Sequence, residues 1–92
     1  MEQSSFPVQY DYPVSDYYRN HILNAYNLAK TDKWWAAVLL IRDPKTSRPF
    51  IALYQWQRNE TGWKTQKRFT FKRATEVKRV SQVMQEFMRE LD

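Results

Sequence analysis

Trp34-Trp35-Ala36-Ala37-Val38-Leu39-Leu40-Ile41-Arg42 is an unbroken apolar run rich in aromatic and β-branched residues, closed by the turn chemistry of Asp43-Pro44-Lys45-Thr46-Ser47-Arg48-Pro49. A run this short, bounded by turn residues, predicts a central strand covered on both faces. Beyond the turn, Phe50 to Arg58 resumes as a strand with Phe50, Ala52, Tyr54 and Trp56 on one face. Asn59-Glu60-Thr61-Gly62 makes the next turn and carries the only glycine where a positive φ is most wanted. A third antiparallel strand follows from Trp63 to about Lys72. Its alternation puts Lys64, Gln66, Arg68, Thr70 and Lys72 on one face, and Trp63, Thr65, Lys67, Phe69 and Phe71 on the other, so that Phe69 and Phe71 face a core.

On the C-terminal side, Val77, Val80, Met84, Phe87, Met88 and Leu91 recur at steps of three and four, which predicts an amphipathic helix over 75–91. On the N-terminal side, Phe6, Val8, Tyr10 and Tyr12 alternate as an edge strand would, until Pro13 ends the segment. Ser15 then reads as a helix N-cap with Asp16 in the first turn. The stretch to about Lys30 is helix-compatible, with Tyr18, Ile22, Ala25, Tyr26 and Ala29 on one stripe and Asn20, Asn24 and Asn27 as indifferent helix formers. The expected fold is a single α+β domain over residues 1–92, of which 1–14 is a partly extended N-terminal segment. It has an antiparallel sheet of three to four strands, an N-terminal helix, and a C-terminal helix packed on the sheet.

The chain has 92 residues, 42% of them apolar and 16% aromatic, which suffices for one packed domain but leaves a thin core. Packing against a second copy is an ordinary remedy, so a homodimer is expected. No cysteine is present, and nothing demands an oxidising compartment; a cytoplasmic setting is the default, or a nucleoplasmic or organellar one in a eukaryote. The longest apolar run falls well short of the roughly 20 residues of a membrane-spanning helix, and no signal-like N-terminus is seen.

The net charge of +5 is unevenly placed. Up to Ser47 five bases and five acids balance, whereas from Arg48 to Arg79 nine bases (Arg48, Arg58, Lys64, Lys67, Arg68, Lys72, Arg73, Lys78 and Arg79) oppose only Glu60 and Glu76. Such asymmetry is the electrostatic footprint of a polyanion-binding surface. Catalysis is poorly provided for: His21 is the only histidine, a single glycine cannot build a phosphate-cradling loop, and no metal-ligand spacing occurs. No enzyme activity, metal or cofactor is expected.

The strands interleave rings with cations, the two groups that a flexible single strand needs. Bases stack on aromatic faces for roughly 1–3 kcal/mol each without regard to sequence, while cations neutralise phosphates. Tyr54, Trp56 and Trp63 are the stacking candidates, with Trp34 beside them and Trp35 assigned to the core. Lys64, Lys67, Arg68 and Lys72 are the phosphate candidates, with Arg58 at the rim. Each ring also has an ordinary reading as core, because four tryptophans in so small a domain must be partly buried.

Trp63-Lys64-Thr65-Gln66-Lys67-Arg68-Phe69-Thr70-Phe71, followed by Ala74-Thr75-Glu76-Val77, resembles the end of the Whirly and transcriptional positive-cofactor-type single-stranded-DNA-binding domains, where a basic strand with a lysine and two alternating apolar residues precedes an amphipathic helix. The resemblance spans Trp34 to Leu91. It implies a curved antiparallel sheet, dimerisation through the helix, and DNA on the open sheet face. Lys64 and Lys67 fall at the family's basic strand positions, and Phe69 and Phe71 at its inward apolar pair. Arg68 stands where the family has a small residue, and the segment predicted as helix stands where it has its first strand. The function expected is sequence-tolerant binding of single-stranded nucleic acid, DNA before RNA, in transcription, replication or repair. The alternative is a protein-interaction or assembly module built on the same aromatic sheet face.

Overall fold

The structure is a computed structural model that describes residues 11–91. Its strands are β1 (Ile22–Lys30), β2 (Trp34–Arg42), β3 (Pro49–Asn59) and β4 (Gly62–Phe71), and its helices are α1 (Asp16–Arg19) and α2 (Ala74–Phe87). A 3-10 turn at Met88–Glu90 extends α2. The chain is α+β, with the four strands in one open antiparallel meander of order β1-β2-β3-β4. The expected edge strand over Phe6, Val8 and Tyr10 lies outside the described residues.

The helix predicted from Ser15 to Lys30 is corrected: only one turn is helical, and the remainder is strand β1. Two bulges explain why the segment imitates a helix. Ile22 pairs with Ile41 and Ala25 with Leu39, so these two share a face at a spacing of three because the ladder shifts between Ile22 and Asn24. A second shift between Asn27 and Ala29 brings Asn27 and Lys30 onto one face in the same way. Each bulge inserts one residue, converting a period of two into a local step of three. The asparagines, weak helix formers, then yield to the ladder that β2 offers.

The core occupies one face of the sheet. Trp35, Ala37, Leu39 and Ile41 of β2 lie opposite Trp56, Tyr54, Ala52 and Phe50 of β3, and all eight are buried. The chain before β1 roofs this face. Val14 joins the core, Tyr12 sets its ring 5.0 Å from Trp35 and 5.8 Å from Trp56, and Tyr18 meets Phe50 edge-on at 5.6 Å. Asn27 Oδ1 accepts from both the Tyr12 hydroxyl at 2.8 Å and Trp35 Nε1 at 2.9 Å, tying the roof to the sheet.

The turns carry the chemistry read from the sequence. Gly62 has φ +127, a conformation that L side chains rarely adopt, and Asn59 Oδ1 accepts from the backbone N–H and hydroxyl of Thr61. Between β2 and β3 the Asp43 carboxylate accepts from the Lys45 N–H at 2.9 Å.

α2 has the amphipathic pattern that was expected, but it does not pack on the sheet as expected. It leaves the end of β4 with no residue buried, and Met84, Phe87, Met88 and Leu91 are all exposed. The radius of gyration is 15.0 Å, against about 12 Å for a compact chain of this length. A helix with no buried residue, standing off the sheet, adds to that radius.

Candidate nucleic-acid interface

Residues directly opposite in an antiparallel ladder share a face, so the register sorts the candidates. The face away from the core carries four rows. Trp34, Gln57 and Lys64 form the first, and Ala29, Ala36, Gln55 and Lys67 the second; Tyr26, Val38, Leu53 and Phe69 form the third, and Asn24, Leu40, Ile51 and Phe71 the fourth. This face therefore changes character along the strands, from amide and ammonium groups around Trp34 to aliphatic and phenyl groups around Phe69. The buried cluster lies wholly on the other face, and on this one Phe71, in the fourth row, is the buried residue among those described.

The alternation predicted for β4 is overturned by one residue. Gln55 pairs with Lys67 but Trp56 pairs with Thr65, leaving Gln66 as the extra residue of a bulge. Every side chain before the bulge is thereby carried to the opposite face relative to those after it. Lys64 joins Lys67, Phe69 and Phe71 on the open face, while Trp63 and Thr65 join Arg68 and Thr70 on the core face.

The stacking role expected of Trp56 and Tyr54 does not fit the fold. Trp56 is 0% exposed and Tyr54 6%, their rings stacked on each other at 5.1 Å inside the core face. A base cannot lie on a ring that has no free surface. Trp63 is half-buried, edge-on to Trp35 at 5.4 Å, with the Arg58 guanidinium 5.7 Å from its ring centre. Arg58 and Trp63 thus form a cation–π pair at the rim of the core face, next to Lys30 over Trp35 at 3.8 Å. Arg68 lies opposite Tyr54 on that face, and Lys72 lies past the end of β4.

Of the eight residues singled out, only Lys64 and Lys67 reach the open face. Trp34 stands with them, 43% exposed, in the same row as Lys64. Four residues missed as site candidates also stand there: Tyr26 and Phe69, each more than half exposed, Gln55 opposite Lys67, and Gln57 opposite Lys64. Phe69 was expected in a core; only Phe71, at 8% exposure, is buried. The signal for Gln55 and Gln57 was present, since both are polar at alternate positions of an otherwise apolar strand. Tyr26 was hidden by the helical reading of its segment.

A shallow depression of about 410 Å³ along the β3–β4 pair is lined by Leu53, Tyr54, Gln55, Lys67, Arg68 and Phe69, and a second of about 320 Å³ has Tyr26, Val38, Leu40 and Ile51 among its walls. Among the described residues the one ion pair is Arg19 to Asp16 at 3.2 Å, so neither Lys64 nor Lys67 is neutralised by a carboxylate. No cluster of three or more His, Asp or Glu side chains that could hold a metal ion occurs among the described residues, and no helix there is long and apolar enough to cross a membrane. No family model, curated protein or solved structure matches the chain.

Proposed function

We propose that the chain binds single-stranded nucleic acid, DNA in preference to RNA and without strong sequence preference, on the open face of its sheet. The observation that carries this reading is the grouping of Lys64 and Lys67 with the exposed rings of Trp34 and Phe69 on one uncovered surface. The ammonium groups neutralise phosphates, the rings take the flat faces of bases, and Gln55 and Gln57 supply hydrogen bonds that any base edge can meet.

Trp34 makes the test direct. Trp35 and Trp56 are buried and Trp63 is half-buried on the core face, so quenching by a thymine oligomer on the open face reports Trp34, and Trp63→Phe serves as the control that should leave it unchanged. Quenching is expected in wild type and largely lost in Trp34→Phe, with a log–log salt slope of about −0.7 for each phosphate engaged. An interaction insensitive to salt contradicts the mechanism.

The exposed stripe of α2 supports a homodimer that covers it. Each large apolar side chain buried is worth about 1.5–3 kcal/mol, and Met84, Phe87 and Met88 are all available. Sedimentation of wild type at twice the mass of the chain is expected. Met84→Glu with Phe87→Glu shifts the protein to a monomer while leaving the protomer folded, because neither side chain is buried within it.

The rows of Val38, Leu53 and Phe69 and of Leu40, Ile51 and Phe71 favour a second reading, in which the open face docks a protein. A dimer that leaves its tryptophan fluorescence unchanged by any oligonucleotide supports that alternative.

A further inference from the structure

At the end of the sheet that carries Ile41, Phe50 and Phe71, the 43–49 turn meets the connection from β4 to α2. A pocket of about 260 Å³ opens there, lined by Asp43, Thr46, Arg48, Phe50, Lys72 and Arg73. Arg48 and Arg73 belong to no part of the open-face interface. Three cations line the cavity against one carboxylate, a balance that a dianion closes.

The turn is already braced, which leaves its cations free for something else. Asp43 Oδ1 accepts from the Lys45 N–H at 2.9 Å, and Thr46 Oγ1 accepts from the Arg48 N–H at 3.2 Å. The Asp43 N–H donates to the Arg48 carbonyl at 2.9 Å, and Arg42 Nη1 donates to the Ser47 carbonyl at 2.8 Å. Ser47 holds φ 64 to close the turn. Outside the lining, on the first turn of α2, Glu76 Oε1 accepts from the Lys72 N–H at 3.2 Å. One carboxylate oxygen each of Asp43 and Glu76 is thus engaged with a backbone donor, and the Arg48, Lys72 and Arg73 side chains form no ion pair among the described residues. Three donor-bearing cations around one concavity, with the backbone between them fixed, are preorganised for a compact anion of high charge.

We propose that this pocket binds a phosphate monoester. A monoester carries about −1.5 to −2 charge at pH 7 and three acceptor oxygens, whereas an internal phosphodiester carries a single charge. Two sources share the compact, near-dianionic phosphate group that the pocket would recognise: the terminal monoester of a polynucleotide, and free phosphate, which has the same charge and acceptor oxygens without the ester. The first rests on the nucleic-acid reading above; the second stands without it.

The test compares thymine decamers bearing a 5′-phosphate, a 3′-phosphate or hydroxyls at both ends. In parallel, inorganic phosphate is titrated against chloride of equal ionic strength while backbone amide signals are followed. One end-phosphorylated decamer is expected to bind about tenfold tighter than the hydroxyl form, the equivalent of one charge-assisted hydrogen bond. That preference disappears in Arg48→Gln with Arg73→Gln, two exposed side chains whose loss leaves the melting temperature in place. Inorganic phosphate moves the amide signals of 43–49 and 72–76. Should phosphate move these signals while no decamer binds, the pocket stands and the nucleic-acid reading fails. Decamers that bind alike, with no response of these amides to phosphate, overturn the pocket and leave the open-face reading intact. If neither phosphate nor any decamer produces an effect, both fall.

Discussion

Trp56→Ala is expected to cost about 3–5 kcal/mol of folding stability, the usual penalty for removing a large ring from a packed core. The ring has no exposed surface, stacks on Tyr54 at an interplanar angle of 8°, and lies 5.0 Å from Trp35. A domain of this length holds about 5–14 kcal/mol in total, and one with so thin a core belongs near the bottom of that range. The variant is therefore expected to be substantially unfolded at 37 °C in urea and thermal melts followed by circular dichroism. Trp56→Phe is expected to be much milder. Trp56 Nε1 has no hydrogen-bond partner among the described residues, and phenylalanine removes that stranded donor along with some ring volume. Were Trp56 a surface ring that stacks on bases, alanine would leave stability within about 0.5 kcal/mol and lower oligonucleotide affinity instead.

Replacing Lys64 and Lys67 together by glutamine is expected to weaken single-strand binding on the order of a hundredfold at low salt, roughly tenfold for each charge-assisted hydrogen bond to phosphate that is removed. The salt slope should shrink by about 1.4, at about 0.7 per phosphate released. Both side chains are exposed and unpaired in charge, so the melting temperature should not move. Arg68→Gln is the internal control. Arg68 lies opposite Tyr54 on the core face, one residue from Lys67 in sequence but on the other side of the sheet, and its loss should leave affinity nearly unchanged. Equal losses for Lys67 and Arg68 would show that position along the chain, and not the face of the sheet, governs binding.

The contrast between Lys67 and Arg68 also marks where reading the sequence succeeds and where it stops. The strands over 34–42, 50–58 and 63–72 and the C-terminal helix were legible because their apolar periods are regular and their turns carry Asp-Pro, Asn and Gly. The bulges were not. One extra residue at Gln66 costs nothing in composition, yet it carries Lys64 to the same face as Lys67 and takes Trp63 away to the other. The two bulges in β1 turned a strand pattern into a helical one for the same reason. Burial of Trp56 and Tyr54 could not be separated from exposure by residue type, because alternation says which residues share a face but not which face is roofed. Here the roof is Tyr12, Val14 and Tyr18 from before β1, packed onto strands far from it in sequence. The amphipathic stripe of α2 was read correctly, but it is uncovered within the protomer, which periodicity alone cannot reveal.

The site consequently differs from the expected one more than the fold does. Two of the predicted cations and the neighbouring Trp34 make up its polar half, and Phe69 and Tyr26 border its apolar half. Arg58 and Trp63 brace each other at the rim of the core face. Lys72 belongs with Arg48 and Arg73 at the end of the sheet.

The central claim is that a flexible polyanion lies across the uncovered face, and amide mapping tests it most directly. A thymine decamer titrated into the labelled protein at low salt should shift the signals of Trp34, Gln55, Gln57, Lys64, Lys67 and Phe69, and the Trp34 indole N–H, while those of Trp35, Tyr54 and Trp56 move little. Shifts centred on Tyr12, Lys30 and Arg68, or no shifts at any oligonucleotide concentration, would contradict it.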